Sequence, residues 1–223
     1  MATYLGLDFG GTKLAAGLAD ESGRLLGFAR CPTDSAAGPN GALVALRGLV
    51  AGLPTSEAPP AAVGASFGGP VDASCRRALL SHHGPGWEDF PLADRVEEIW
   101  QVPVKLENDA NAAALGECRF GAGQGFRDVL YLTISTGIGA GIVLGGELFR
   151  GARGLSGELG HTIVAPGGPR CPCGKRGCLE AVASGPSIAR AYAEKAGVPG
   201  ARVSAADVFQ RAAAGDGVAA RTL

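Results

Sequence analysis

The chain has 223 residues, enough for one large domain or for two modest domains that each bury a core. Its 20 basic and 21 acidic side chains nearly cancel, so the basic surface typical of nucleic-acid-binding proteins is not expected. The first residues, MATYLGLDFGG, lack the pattern of a signal peptide, and no apolar run is long enough to cross a bilayer. These features predict a cytoplasmic protein with no membrane or nucleic-acid partner.

The first half of the chain is predicted to alternate short strands with helices, because apolar runs are separated by glycine-rich and polar turns. Its first three strands should form an antiparallel meander. Predicted strands lie at 4–9, 13–19, 25–31, 62–67 and 102–106, and predicted helices lie at 41–53, 91–101 and 110–120.

The second half begins by repeating the opening pattern. A strand at 129–134, a glycine-rich turn at 135–141 (STGIGAG) and a strand at 142–149 match the strand, turn and strand at the start. This weak internal repeat predicts two lobes of similar construction, at 1–115 and 116–223. The tail beyond residue 181 is predicted to be helical.

The first glycine turn joins two predicted strands through Asp8-Phe9-Gly10-Gly11-Thr12-Lys13. A dinucleotide-binding glycine loop would open a helix instead. Consecutive glycines can aim backbone N–H groups at phosphate oxygens, and the aspartate suits a hydrated Mg²⁺. An ordinary glycine hairpin is the alternative, but the second turn, Thr136-Gly137-Ile138-Gly139, favours a polyphosphate bound between two lobes.

The triplet Glu107-Asn108-Asp109 follows a predicted strand and leads into a helix. Asp109 suits an N-cap or an acid in the first helical turn. Its functional interpretation is a base that accepts the proton of an attacking hydroxyl, as phosphoryl transfer requires. The structural and functional interpretations are compatible.

Three cysteines, Cys171, Cys173 and Cys178, lie within eight positions. A reducing cytosol favours a metal site over a disulfide, and a closed structural zinc site needs four ligands. His161 is the nearest upstream candidate and would complete a Cys3His set. Free or redox-active thiols are the alternative interpretation.

A zinc ion at this position would also fix the residues next to its ligands. Glu158 and Glu180 would then stand beside His161, an arrangement suited to hydrogen bonding with several hydroxyls of a sugar. Closed coordination argues against a zinc ion that activates water.

Together these segments resemble the ROK family of sugar kinases and related repressors. The matching segments run in family order over residues 4–185: LGLDFGGTK, SFGGPVD, GWEDFPL, ENDANAAALGE, TISTGIGAGI, GELGH and CPCGKRGCLEAVASG. The resemblance implies an α/β, actin-like ATPase (ribonuclease H-like) fold of two lobes with mixed sheets and an incomplete second lobe. It also implies transfer of the γ-phosphoryl group of ATP to a hexose, by a homo-oligomer such as a dimer or tetramer.

The resemblance assigns a role to each candidate site residue. Asp109 would be the catalytic base. Contacts to the sugar would come from Gly69, Asn108, Asp109, Glu158, His161 and Glu180. The phosphate segments would be Asp8, Gly10, Gly11, Thr12 and Lys13, and then Thr136, Gly137 and Gly139. ATP and Mg²⁺ would bind there, and His161, Cys171, Cys173 and Cys178 would hold a structural zinc ion.

Three departures from the family pattern bear on the function. His83 stands where many relatives have an asparagine that touches the sugar, which leaves the hexose open among glucose, fructose, mannose, allose and N-acetylated amino sugars. Family repressors carry a DNA-binding domain before the first strand, which disfavours a repressor here. The family's second lobe continues beyond Leu223, so a truncated, catalytically deficient sugar-binding or regulatory protein is the alternative to an active kinase.

Overall fold

A computed structural model describes residues 2–54, 59–81, 84–152, 154–199 and 203–223. The chain divides into two compact units. The first unit contains residues 1–129 and 141–156, and the second contains 130–140 and 157–223. The lobe boundary predicted at residue 115 remains a prediction. Within the described ranges, no helix is both long enough and apolar enough to cross a membrane.

The first unit is built on a five-stranded mixed sheet with the order β3-β2-β1-β4-β5. Its strands are β1 (Thr3–Phe9), β2 (Lys13–Asp20), β3 (Leu25–Pro32), β4 (Ala62–Phe67) and β5 (Val104–Asn108). The antiparallel meander of β1, β2 and β3 is confirmed, whereas β1, β4 and β5 run parallel. Parallel pairing brings the carboxyl ends of these three strands to one edge of the sheet.

Side chains along β1 alternate between a face that packs in the apolar core and a face that carries Asp8. Leu5, Leu7 and Phe9 are buried in one apolar cluster. Helices α1 (Gly38–Ala51) and α2 (Leu92–Trp100) contribute buried leucine and valine side chains to the same cluster. Because successive side chains point to opposite faces of a strand, Asp8 lies on the face away from this core.

A second sheet contains β6 (Val129–Ile134), β7 (Ile138–Leu144) and β8 (Glu147–Leu148), in that order. The sequence prediction of β6 is confirmed, but the single strand predicted at 142–149 is the end of β7 and the whole of β8, separated by a turn. The strand β7 begins four residues earlier than predicted and ends before Gly145 and Gly146, whose φ angles are +63° and +89°. Two consecutive left-handed glycines form a tight reversal, so the chain turns there.

The remaining helices are α3 (Asp109–Phe120) in the first unit, and α4 (Leu179–Ala183), α5 (Gly185–Ala196), α6 (Ala205–Ala213) and α7 (Gly217–Ala220) in the second. The predicted helical tail is confirmed. The apolar clusters of the second unit are small: one joins Cys171, Cys178 and Ala181, and another is centred on Tyr192 and Val208.

Candidate functional site

Asp8 lies near the carboxyl end of β1, where it faces away from the core. Its Oδ1 accepts a hydrogen bond of 2.7 Å from the hydroxyl of Ser66 on the neighbouring strand. Burial raises the pKa of this carboxyl, although the bond from Ser66 lowers it. Among the described residues, no arginine or lysine forms an ion pair with Asp8. A half-buried carboxylate without a cationic partner fits a hydrated Mg²⁺, which takes one or two carboxylates together with waters and phosphates.

The first glycine turn, between β1 and β2, is held by its own backbone and by Thr33. A Cβ on Gly10 would lie 2.6 Å from the carbonyl oxygen of Lys13, so no other residue fits. Gly10 does not have a left-handed φ, and the turn therefore lacks the alternating conformation of the predicted anion nest. Thr33 donates from its hydroxyl to the carbonyl of Gly10 at 2.7 Å and from its amide to the carbonyl of Thr12 at 3.0 Å. These bonds preform the turn.

Asn108 ends β5 and caps α3. Its Oδ1 accepts hydrogen bonds from the amides of Ala110 (3.0 Å) and Asn111 (3.2 Å). Its Nδ2 donates to the carbonyl of Gly69 (3.1 Å) and to Oδ1 of Asp109 (3.0 Å). The N-cap is thus Asn108 and not Asp109, because the backbone is still extended at residue 108. The other expectation, that Asp109 is an acid in the first helical turn, is confirmed.

Asp109 has one oxygen engaged by neighbours and one that faces the first glycine turn. Its Oδ1 accepts from the amide of Ala110 (2.8 Å) and from Asn108 (3.0 Å). Its Oδ2 lies 3.7 Å from the place that a Cβ on Gly68 would occupy, and the amide nitrogen of Gly11 lies 3.6 Å from the same place. Glycine at 68 therefore leaves open space between the carboxylate and the turn.

The electrostatic environment of Asp109 suits a proton acceptor. Burial is the main cause that raises the pKa of its carboxyl, and the negative charge of Asp8 raises it further. Hydrogen bonds from Ala110 and Asn108 lower it. A base with a raised pKa holds an abstracted proton better than an ordinary aspartate does.

Residues that support this site but were given no role from the sequence are Thr33, Ser66, Glu107 and Arg150. Glu107, at 8% exposure, accepts hydrogen bonds at Oε1 from the amide of Asn108 and from Nδ2 of Asn111, both at 3.1 Å. Its Oε2 pairs with Arg150 at 2.8 Å. The acidic residue directly after the predicted strand at 102–106 was a visible signal for Glu107, but nothing local links it to an arginine 43 positions away.

The second unit brings the four predicted metal ligands together. The ligand atoms of His161, Cys171, Cys173 and Cys178 all lie within 4.8 Å of one another. Nδ1 of His161 is 3.5 Å from Sγ of Cys171, and the Sγ atoms of Cys173 and Cys178 are 3.6 Å apart. Tetrahedral zinc, with Zn–S near 2.3 Å and Zn–N near 2.0–2.1 Å, needs ligand atoms about 3.5–3.8 Å apart. The donor set and the spacing fit a closed structural zinc site.

The two nitrogens of His161 face different partners. Nδ1 faces the thiols, whereas Nε2 lies 3.8 Å from Oε2 of Glu158, which is half exposed. A metal-binding histidine commonly directs its second nitrogen to a carboxylate or to another polar group, which fixes the ring. Nδ1 can therefore bind a metal while Nε2 forms a hydrogen bond with a polar ligand.

The second glycine turn joins β6 to β7. Thr136 is exposed at its tip, and Gly139 already belongs to β7. Glu180 reaches this turn, since its Oε2 accepts a hydrogen bond of 2.9 Å from the amide of Ile138. The predicted site residues therefore divide between the two units. The first unit holds Asp8, Gly10, Gly11, Thr12, Lys13, Gly69, Asn108 and Asp109, and the second holds Thr136, Gly137, Gly139, Glu158, His161, Cys171, Cys173, Cys178 and Glu180. His83 lies outside the described residues.

Comparison with known proteins agrees with these motifs. The model of the ROK family matches residues 4–223. The chain belongs to the ROK family. It is 40% identical to the glucokinase of Streptomyces coelicolor over 197 residues, which cover 87% of this chain and 60% of that protein. It is 39% identical to the N-acetylmannosamine kinase of Shigella flexneri over 215 residues, which cover 96% of this chain and 71% of that protein.

Solved ROK structures share the fold. A ROK family glucokinase from Streptomyces griseus, in complex with glucose and AMPPNP, matches with a TM-score of 0.85 and 37% identity, over 99% of this chain and 74% of that one. A ROK family transcriptional regulator, a homologue of the E. coli MLC protein, matches with a TM-score of 0.82 and 28% identity, over 99% of this chain and 58% of that one. The predicted actin-like fold is confirmed. The chain spans about 60% of the length of the curated Streptomyces coelicolor glucokinase.

Proposed function

We propose that this ROK protein phosphorylates a hexose with ATP and that Asp109 is the general base. The observation that carries the proposal is the position of the Asp109 carboxylate. One oxygen is fixed by Ala110 and Asn108, and the other faces the space beside Gly68 and the first glycine turn. Phosphoryl transfer needs a positioned acceptor for the proton of the attacking hydroxyl, and this carboxylate has the required freedom and raised pKa.

The remaining residues would bind the two substrates. Oδ2 of Asp109, the carbonyl of Gly69, Glu158, Nε2 of His161 and Glu180 would accept from or donate to the sugar. Asn108 supports the sugar site less directly, because its Oδ1 and Nδ2 already make four intrachain bonds. Relatives that are named for glucose and for N-acetylmannosamine support a hexose as the substrate class. Glucose is the first sugar to test, and assembly into a dimer or tetramer stays a prediction.

The two glycine turns would hold the phosphates of ATP, the first through the hydroxyl of Thr12 and the ammonium of Lys13 rather than through an anion nest. The first is preformed by Thr33, and Lys13 and Thr12 lie at its end. Asp8 would hold Mg²⁺, which supplies positive charge against the phosphate oxygens when it is bound. The Cys3His cluster would hold zinc, which supplies no reaction chemistry in a closed site but fixes the loops that carry Glu158 and Glu180.

The test is an ATP-dependent phosphorylation assay on the purified, zinc-loaded protein with a panel of hexoses. Asp109→Asn should lower kcat by about 10²–10⁴-fold, the usual contribution of a general base, while the Kd for the sugar stays within about threefold. Asp94→Asn is a matched control, since Asp94 is also an acid in the first turn of a helix of the same unit but lies in the surface ion pair with Arg76. Full activity of Asp109→Asn would refute the assignment.

A regulatory, sugar-binding function is the second candidate. The structural match to a ROK family transcriptional regulator favours it, because that protein shares the fold. If this candidate is correct, the protein binds a hexose, and ATP turnover is absent with every sugar of the panel. Calorimetry with each sugar, beside the phosphorylation assay, separates the two functions.

A further inference from the structure

Ile138, where the second glycine turn passes into β7, is contacted at both its amide and its carbonyl group. On the amide side, Oε2 of Glu180 accepts the hydrogen bond from Ile138 at 2.9 Å. On the carbonyl side, a Cβ on Gly160 would lie only 2.0 Å from the carbonyl oxygen of Ile138. Gly160 must therefore be a glycine, and its backbone lies directly against the turn.

The two residues that contact Ile138, Gly160 and Glu180, are close in sequence to candidate metal ligands. Gly160 precedes His161 in the short 3-10 turn Leu159–His161. Glu180 comes two residues after Cys178, which is fully buried and is the N-cap residue of α4. Both groups that contact Ile138 are therefore within two residues of a member of the Cys3His cluster.

The carboxylate of Glu180 also lies close to Gly137. A Cβ on Gly137 would lie 2.6 Å from Oε2 of Glu180, and Gly137 does not have a left-handed φ. A Cβ at 137 would therefore have to displace this carboxylate from its position beside the amide of Ile138. The turn is closed further by the amide of Ser135, which donates to the carbonyl of Gly137 at 2.8 Å, and by the amide of Gly185, which donates to the carbonyl of Ser135 at 2.8 Å.

We propose that Glu180 is a positioning residue that fixes the second glycine turn and transmits the state of the Cys3His cluster to it. Oε2 is committed to the backbone of the turn, which leaves Oε1 for the sugar of the proposed function. A bound metal would hold His161 and Cys178 in place, and through Gly160 and Glu180 it would keep Ile138 and Gly137 in one arrangement. Loss of the metal would loosen the turn even though no turn residue is a ligand. This inference rests on the proposed zinc site and extends the role of Glu180 beyond sugar binding.

The test is hydrogen exchange of single backbone amides by NMR, on the full chain without ATP or sugar. Glu180→Ala should speed exchange of the Ile138 amide by about tenfold or more, as expected for loss of a charge-assisted hydrogen bond. Glu180→Gln keeps an acceptor oxygen and should stay within about threefold of the wild-type rate. Glu194→Ala, which removes an exposed carboxylate on α5 of the same unit, should leave this amide unchanged.

Zinc chelation is the second arm of the test. Chelation of the wild-type protein should speed exchange of Ile138 by about tenfold or more, and zinc readdition should restore the slow rate. The amides of Val143 in β7 and Tyr192 in α5 report whether the fold survives, and they should not change. An Ile138 amide that stays protected after chelation, or in Glu180→Ala, would overturn the proposal. Because the experiment needs no catalysis, this result stands apart from success or failure of the kinase assay.

Discussion

The two units hold their functional residues by different means. In the first unit, Asp8, Asn108 and Asp109 lie at the ends of strands whose other face is buried in a continuous cluster of aliphatic and aromatic side chains. In the second unit, Glu158, His161 and Glu180 lie on short turns and a five-residue helix. Among the described residues, the apolar cluster of this region consists of Cys171, Cys178 and Ala181.

This difference indicates what each site depends on. A strand end above a large core is rigid without any ligand, because burial of apolar surface fixes the backbone. A loop region with little apolar surface needs another source of stability, and a metal held by the four converging candidate ligands would provide it. The first site should therefore tolerate metal removal, whereas the second should not.

Metal removal should give the largest effect. Structural zinc in small domains contributes about 10–16 kcal/mol of binding free energy that is coupled to folding. Chelation should therefore abolish most hydrogen-exchange protection in residues 157–185, while residues 62–67 of β4 keep theirs.

The matching variant is Cys173→Ser, which should lower the zinc content well below about one per chain. Cys118→Ser is its control, because Cys118 lies on α3, outside the Cys3His cluster. Equal loss of protection in β4 and in residues 157–185 would contradict the comparison.

Arg150→Ala should cost the next largest amount of stability. Glu107 would keep a negative charge at 8% exposure with only two neutral donors. We expect a loss of about 1–3 kcal/mol in the free energy of unfolding, measured with a chemical denaturant. Arg95→Ala is the control, because its 2.7 Å pair with Glu98 is largely exposed and should contribute about 0–1 kcal/mol. Similar losses in both variants would show that burial of Glu107 does not matter.

Asn108→Ala should cost about 1 kcal/mol, the usual value of a helix N-cap. Asn108→Asp keeps the capping oxygen and should retain most of this stability. It removes the donor to Gly69 and adds a negative charge beside Asp109, so it should move the acidic limb of the pH–rate profile to higher pH. An unchanged profile would mean that Asn108 serves the helix alone.

Asp8→Asn should have the smallest effect and should stabilise the protein. Burial raises the folded-state pKa of Asp8 above its ordinary value of 3.8, so the ionised carboxylate destabilises the folded state at neutral pH. This penalty disappears as the pH falls through the folded-state pKa, and below 3.8 both states are protonated. The variant should therefore unfold at a slightly higher temperature at pH 7, with no advantage below pH 3.8. A lower midpoint at pH 7 would show that the Ser66 contact outweighs burial.

The sequence alone determined the local elements and the family. Alternation along β1 and β2, the apolar run of β4 and the alanine-rich α3 depend on residues a few positions apart, so they could be predicted. The order of the glycine, acidic and cysteine motifs was sufficient to indicate the ROK family. The break at Gly145-Gly146 was also a local signal, and its omission was an error of interpretation.

Only the tertiary structure decided how these motifs support one another. Glu107 and Arg150 are 43 positions apart, and Glu180 and Ile138 are 42 apart. No periodicity connects such pairs, because their contact follows from how strands and loops pack rather than from neighbouring residues. The choice of Asn108 as the cap depended likewise on where β5 ends. The sequence identified the chemical groups of the candidate site. The packing of the chain determined which of these groups fix the positions of the others.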